Sequence, residues 1–183
     1  MSVDATELLD PDELLRMPDG DHYELIDGVP KEKPMGAKAD RIANRIGGRL
    51  DTFVTAKTSG FVFGSQTGYK CFSGRPKLVR MPDASFVAAG RLPDDEAPKG
   101  YVEIAPDLAV EVLSPGEFAE ELWEKLADYK WAGIRLVWVV SPETQVVQVR
   151  RADGTMTELG EADTLTGEDV LPGFAVKVGD LFA

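Results

Sequence analysis

Glu111 is the one polar residue in the run Leu108-Ala-Val-Glu-Val-Leu113, which lies between Pro106 and Pro115. A short apolar run bounded in this way predicts a strand covered on both faces. A carboxylate in the middle of such a strand is costly unless a cation, a set of hydrogen bonds or a metal compensates it. A second acid, Asp83, falls in Arg80-Met-Pro-Asp-Ala-Ser-Phe-Val-Ala88. Alternation there places Met81, Asp83, Ser85 and Val87 on one face. Carboxylates on neighbouring strands suit a hard divalent cation, because Mg²⁺ takes oxygen ligands and often one or two carboxylates together with water and phosphate. A lysine beside them would orient or deprotonate a water, or neutralise charge growing on phosphate.

The elements around Glu111 determine which lysine that is. After the strand, Ser114 predicts an N-cap, Pro115 a first helical position and Glu117 the far end of a capping box, with Gly133 closing the helix. The apolar stripe is Phe118, Leu122, Leu126, Tyr129 and Ala132, and Lys125 falls inside it. From Glu111 to the strand end is about 13 Å at about 3.3 Å per residue; the return along the helix to Lys125 is about 14 Å at about 1.5 Å per residue. A helix folded back over the sheet therefore brings Lys125 level with Glu111.

The rest of the chain reads as one α/β unit spanning residues 1–183, with a core from about residue 23 and a short helical extension over residues 1–20. Asp10 and Pro11 start a helix running to Met17. His22 to Lys33 is a hairpin turning at Asp27-Gly28. Pro34 to Gly36 breaks the chain, and a helical period runs from Ala37 to about Lys57, with Gly47-Gly48 suggesting close packing or a kink. Strands are expected at Gly60–Phe63, Gly68–Phe72, Lys77–Ala88, Leu108–Leu113, Arg135–Val140, Gln145–Arg151 and Thr155–Leu159. The apolar tail from Leu171 docks on the body.

The net charge of -12 over 183 residues argues against nonspecific polyanion binding. Local basic groups remain: Lys38, Arg41, Arg45 and Arg49 along one helix face, and Lys70, Arg75, Lys77 and Arg80 before Asp83. These are either solvated faces or phosphate-steering groups. Cys71 is the only cysteine, which excludes an internal disulfide and suits a reducing cytoplasm. The acidic N-terminus lacks the features of a secretory signal, and no run approaches a membrane span. His22 alone supports neither a Ser-His triad nor a His-rich zinc site.

Pro82-Asp83, then Glu111, then a lysine resembles the PD-(D/E)XK nuclease superfamily. Tyr23-Glu-Leu-Ile-Asp-Gly28, Pro82-Asp-Ala-Ser-Phe86, Pro106-Asp-Leu-Ala-Val-Glu-Val-Leu-Ser-Pro115, Glu124-Lys-Leu126, Tyr129, Ala132-Gly133 and Leu171-Pro-Gly-Phe174 resemble, more closely, the Uma-type family of putative restriction endonucleases. The resemblance implies a restriction-endonuclease-like core with a mixed central sheet flanked by helices, a Mg²⁺ (or Mn²⁺) phosphodiesterase site and a homodimer. Leu113 stands where a simple D/E-x-K strand carries its lysine; the family's lysine lies on the following helix, and Lys125 matches that place. Ser114-Pro-Gly-Glu117 replaces Ser-Pro-Ser-Thr, Glu121 stands for a helical Asp, and Ala39 stands near the place of an early-helix histidine.

The expected activity is Mg²⁺-dependent hydrolysis of DNA phosphodiester bonds. Asp83 and Glu111 would hold metal, with Glu24, as family placement suggests, and the backbone carbonyl of Val112, and Lys125 would position or activate the attacking water. Lys38, Arg41, Arg45, Arg49, Lys70 and Arg80 would meet nucleic acid. Other readings stand beside these: a buried structural Glu111–Lys125 pair, an i,i+4 surface pair of Glu121 with Lys125, Asp83 as a turn residue, Glu24 as a surface strand residue, and a catalytically silent nuclease-fold binding module.

Overall fold

The computed structural model describes residues 8–34, 36–116 and 118–183. Residues 1–7 of the N-terminal extension, Met35 of the expected break and Glu117 of the expected capping box lie outside them. Helix α1 (Pro11–Arg16) begins at Asp10, whose amide donates to the Glu13 carboxylate at 2.7 Å. Strands β1 (Tyr23–Ile26) and β2 (Val29–Glu32) form the N-terminal hairpin. Its turn residues Asp27 and Gly28 both have positive φ, 50° and 91°, as the tight turn that matches strand twist requires. Helix α2 (Ala37–Lys57) runs unbroken through Gly47-Gly48. A Cβ at Gly47 would come no nearer than 4.0 Å to the Ala84 Cβ, so neither a kink nor an unusually close approach explains this pair.

The main sheet takes β3 (Gly60–Gly64), β4 (Ala84–Ala88), β5 (Leu108–Val112), β6 (Leu136–Ser141), β7 (Val146–Arg151) and β8 (Met156–Leu159) in chain order. Neighbours are antiparallel except β5 and β6, which are parallel. A parallel pair needs a crossover, and helix α3 (Ala119–Trp131) supplies it between β5 and β6. The result is the expected α/β arrangement with a mixed central sheet.

The strand expected over Lys77–Ala88 is shorter, and Asp83 stands just before it rather than within it. Pro82 has no amide to donate to a ladder. Upstream, Leu25–Val79, Tyr69–Arg80 and Tyr69–Val102 make isolated bridges instead, and these also replace the expected strand at Gly68–Phe72. The tail is more ordered than simple docking: β9 (Thr164–Gly167) and β10 (Leu171–Lys177) form an antiparallel pair, followed by α4 (Gly179–Phe182).

The start of α3 also differs. Pro115 and Gly116 form a turn, Gly116 has φ +89°, and the helix begins at Ala119 behind an extended Phe118. A residue in the left-handed region cannot continue a right-handed helix, so Ser114 does not cap it. Phe118 is 66% exposed and leaves the stripe. At the other end Gly133, at φ +77°, follows the C-cap Ala132, the position where glycine avoids a Cβ penalty.

Strand alternation divides the core. Leu108, Val110, Val112, Leu136, Trp138 and Val140 pack with Ile42, Ile46 and Leu50 of α2 and with Phe174 of the tail. Ala109, Val137 and Val139 pack on the opposite face with Tyr129, Ile134, Leu78 and Phe72. Burial of each such side chain contributes about 1.5–3 kcal/mol. Glu111 shares the parity of Ala109 and Val139, so it is forced under α3. Among the described residues no helix is long and apolar enough to cross a membrane.

Candidate active site

Under α3, Lys125 does come level with Glu111. Its Nζ lies 3.1 Å from Glu111 Oε2 and 3.2 Å from Oε1 of Glu24 on β1. One turn along the helix, the Tyr129 hydroxyl donates to Glu111 Oε1. All four residues are buried. Asp83 brackets Glu111 from the neighbouring chain segment: its amide donates to the Val110 carbonyl at 2.9 Å, and its Oδ2 accepts from the Val112 amide at 2.8 Å. Its Oδ1 lies 3.1 Å from Lys33 Nζ, which also donates to the carbonyls of Met81 (2.8 Å) and Ser65 (3.2 Å).

The two buried glutamates are tuned in opposite directions. Burial pushes the Glu111 carboxyl up and Lys125 draws it down, while the charges of Asp83 and Glu24 push it up again, to about 7. Burial also raises Glu24, but Lys125, Arg80, the Met81 amide and Lys33 outweigh it and hold the carboxyl below its usual value. Desolvation and the neighbouring Glu111 charge drive the Tyr129 hydroxyl far up, so it stays a donor. Such divergence between neighbouring acids is characteristic of sites that handle protons or metals, and buried ion-pair networks share it.

Behind Glu24 the network continues toward the surface. Arg80 donates to Glu24 Oε2 at 3.0 Å and to Asp128 Oδ2 at 2.8 Å from Nε, and Arg75 joins Asp128 to Asp27. These placements correct one expectation. Arg80 is only 3% exposed; its guanidinium neutralises two buried carboxylates and is not presented to a nucleic acid. Glu24 receives donors from Met81, Arg80 and Lys125, just as the oxygens of Asp83 and Glu111 have protein donors of their own. Among the described residues there is no group of three or more His, Cys, Asp or Glu side chains placed to hold one ion together.

Of the remaining basic residues, Lys38 pairs with Glu143, and Lys70 with Glu103. Arg41 and Arg45 donate to carbonyls of Asp180, Leu181 and Ala183, where a helix end leaves unpaired acceptors. Arg49 is exposed. Sequence reasoning missed Lys33, Asp128 and the polar role of Tyr129. Asp128 and Tyr129 lie three and four residues beyond Lys125, on the same helix face, a spacing that carried the signal. Lys33 had no such signal.

The donor set suits Mg²⁺ held in its usual manner, by one or two carboxylates with water and substrate oxygen making up the rest. Asp83 and Glu111 are close enough for the Asp83 charge to raise the Glu111 carboxyl. Beside Asp83 opens a cleft of about 590 Å³ lined by His22, Lys33, Asp40, Val112 and Ser114 among others.

A mixed sheet carrying Glu111, with Asp83 just before the neighbouring strand and a helical lysine returning over the sheet, is the arrangement of a nuclease-like fold. The family model for Uma2, described as a putative restriction endonuclease, matches residues 11–179, and the chain belongs to that family. The crystal structure of a putative nuclease of the DUF820 group from Anabaena variabilis superposes with a TM-score of 0.79 at 21% identity, covering 95% of this chain and 97% of that one. No curated protein matches.

Proposed function

We propose that the protein is a Mg²⁺-dependent (or Mn²⁺-dependent) endonuclease, one nuclease-like domain that hydrolyses DNA phosphodiester bonds. The observation that carries this reading is the single Lys125 ammonium set between Glu111 and Glu24 (3.1 and 3.2 Å) beside Asp83. Membership of a family described as putative restriction endonucleases supports a nucleic-acid substrate.

Asp83 and Glu111, with the Val112 carbonyl, would hold the ion. Bound there, it would supply a Lewis acid and an acidified water. Lys125, whose ammonium is fixed by the two glutamates it bridges, would position or activate the attacking water. Glu24 and Arg80 position Lys125 through that bridge, and Tyr129 orients Glu111 by donating to it. Lys38 and Arg49, on the exposed face of α2, would meet the phosphate backbone. The resemblance implies a homodimer, and the free Cys71 suits a reducing cytoplasm.

Purified protein incubated with plasmid DNA and Mg²⁺ or Mn²⁺ tests this. Cleavage by the wild type that is lost in both Glu111→Ala and Lys125→Ala supports the site, whereas cleavage unchanged in both removes it. A second reading, a silent nuclease-fold binding module, is favoured by one observation: Asp83 and Glu111 already have protein donors on all their oxygens. DNA binding without cleavage under either metal is its signature.

A further inference from the structure

Resting on that reading of Asp83 as a metal ligand, we infer that Lys33 is a resident cation of the site, one that a divalent ion must displace from Asp83. The Lys33 ammonium has three acceptors, Met81 O at 2.8 Å, Asp83 Oδ1 at 3.1 Å and Ser65 O at 3.2 Å. An ammonium has three donors, so this oxygen cage accounts for every one of them. It is a coordination set that resembles a small cation's more than a surface ion pair's. The side chain is 16% exposed and lines the same cleft as Asp83, Val112 and Ser114.

The other oxygen of Asp83 is turned to the Val112 amide at 2.8 Å. The oxygen that a metal would take is therefore the one Lys33 holds. A divalent ion entering from the cleft meets a positive charge already in place, and the two repel with an energy that varies inversely with their separation. Lys33 follows directly on β2, with its amide bonded to the His22 carbonyl at 2.9 Å. In the metal-free protein Lys33 keeps Asp83 neutralised and in place; in the loaded protein it moves into the cleft.

Calorimetric titration of Mn²⁺ and Mg²⁺ into wild type, Lys33→Gln and Asp83→Asn tests this without reference to activity. Glutamine keeps two donors for the cage and removes the charge. The expected result is binding about tenfold tighter in Lys33→Gln than in wild type, with binding abolished in Asp83→Asn. Binding by Lys33→Gln alone also supports the inference. Equal or weaker binding in Lys33→Gln, with Asp83→Asn still defective, overturns the role of Lys33 and leaves the metal site standing. No binding by either wild type or Lys33→Gln overturns both. Should Lys33→Gln fail to fold, the lysine ¹³Cε–¹⁵Nζ resonances of the wild type decide. A Lys33 signal that shifts on metal saturation supports displacement, and one that does not move overturns it.

Discussion

Lys125 Nζ and Glu111 Oε2 stand 3.1 Å apart although 14 positions separate them in the chain. The same ammonium reaches Glu24 Oε1 at 3.2 Å. One cation thus serves two buried carboxylates. Removing one partner of a buried ion pair costs about 3–5 kcal/mol, because the other charge stays buried. Lys125→Met is expected to destabilise by that amount in urea unfolding. Adding Glu111→Gln to it should cost less than the sum of the single changes by about 1 kcal/mol or more, since the two sites share one interaction.

Stability should depend on pH with opposite signs at the two glutamates. Glu111 titrates at about 7 in the folded protein against an ordinary value of 4.5. A raised carboxyl favours folding while protonated, so its contribution is full below about pH 4.5 and is withdrawn as pH rises through about 7. Relative to Glu111→Gln, the wild type is expected to lose about 3 kcal/mol over that interval. Glu24 is held below its usual value of 4.5, so its contribution is present above about that pH and is lost as pH falls through its folded value. Glu24→Gln should flatten the acid limb of the stability curve. Denaturant midpoints measured across the pH range check both.

Arg80 and Arg49 should part company. Arg80 is buried between Glu24 and Asp128, so Arg80→Ala is expected to destabilise by several kcal/mol and to prevent any clean measurement of DNA binding. Arg49→Ala, at an exposed position of α2, should change stability by no more than about 0.5 kcal/mol. If Arg49 meets a phosphate, the salt dependence of DNA binding becomes shallower by about 0.9 for each phosphate released. An unchanged salt slope removes Arg49 from the interface.

The contrast between those residues shows what the sequence makes legible. Glu111 and Lys125 are readable because Glu111 interrupts a continuous apolar run and Lys125 an apolar stripe of period 3.6, and the lengths of strand and helix bring the two level. Asp128 obeys the same helical spacing. Lys33 was not readable, because two of its three partners are the backbone carbonyls of Met81 and Ser65, and a carbonyl leaves no mark in a residue's identity. Arg80 looked like a surface cation for a related reason: its burial follows from isolated bridges at Tyr69 and Val79, which have no strand pattern. Ser114 looked like a cap because Ser-x-x-Glu is a local signal, whereas Gly116 at φ +89° decides the path of the chain there.

The central claim is that Asp83, Glu111 and Lys125 form one hydrolytic centre. It is tested most directly by the single-turnover rate of DNA cleavage in Mg²⁺ for wild type against Lys125→Met, under conditions where both are shown to be folded. The expected rate is lower by about 10²–10⁴ in the variant, with DNA affinity preserved. Equal rates in the two folded proteins would contradict the claim.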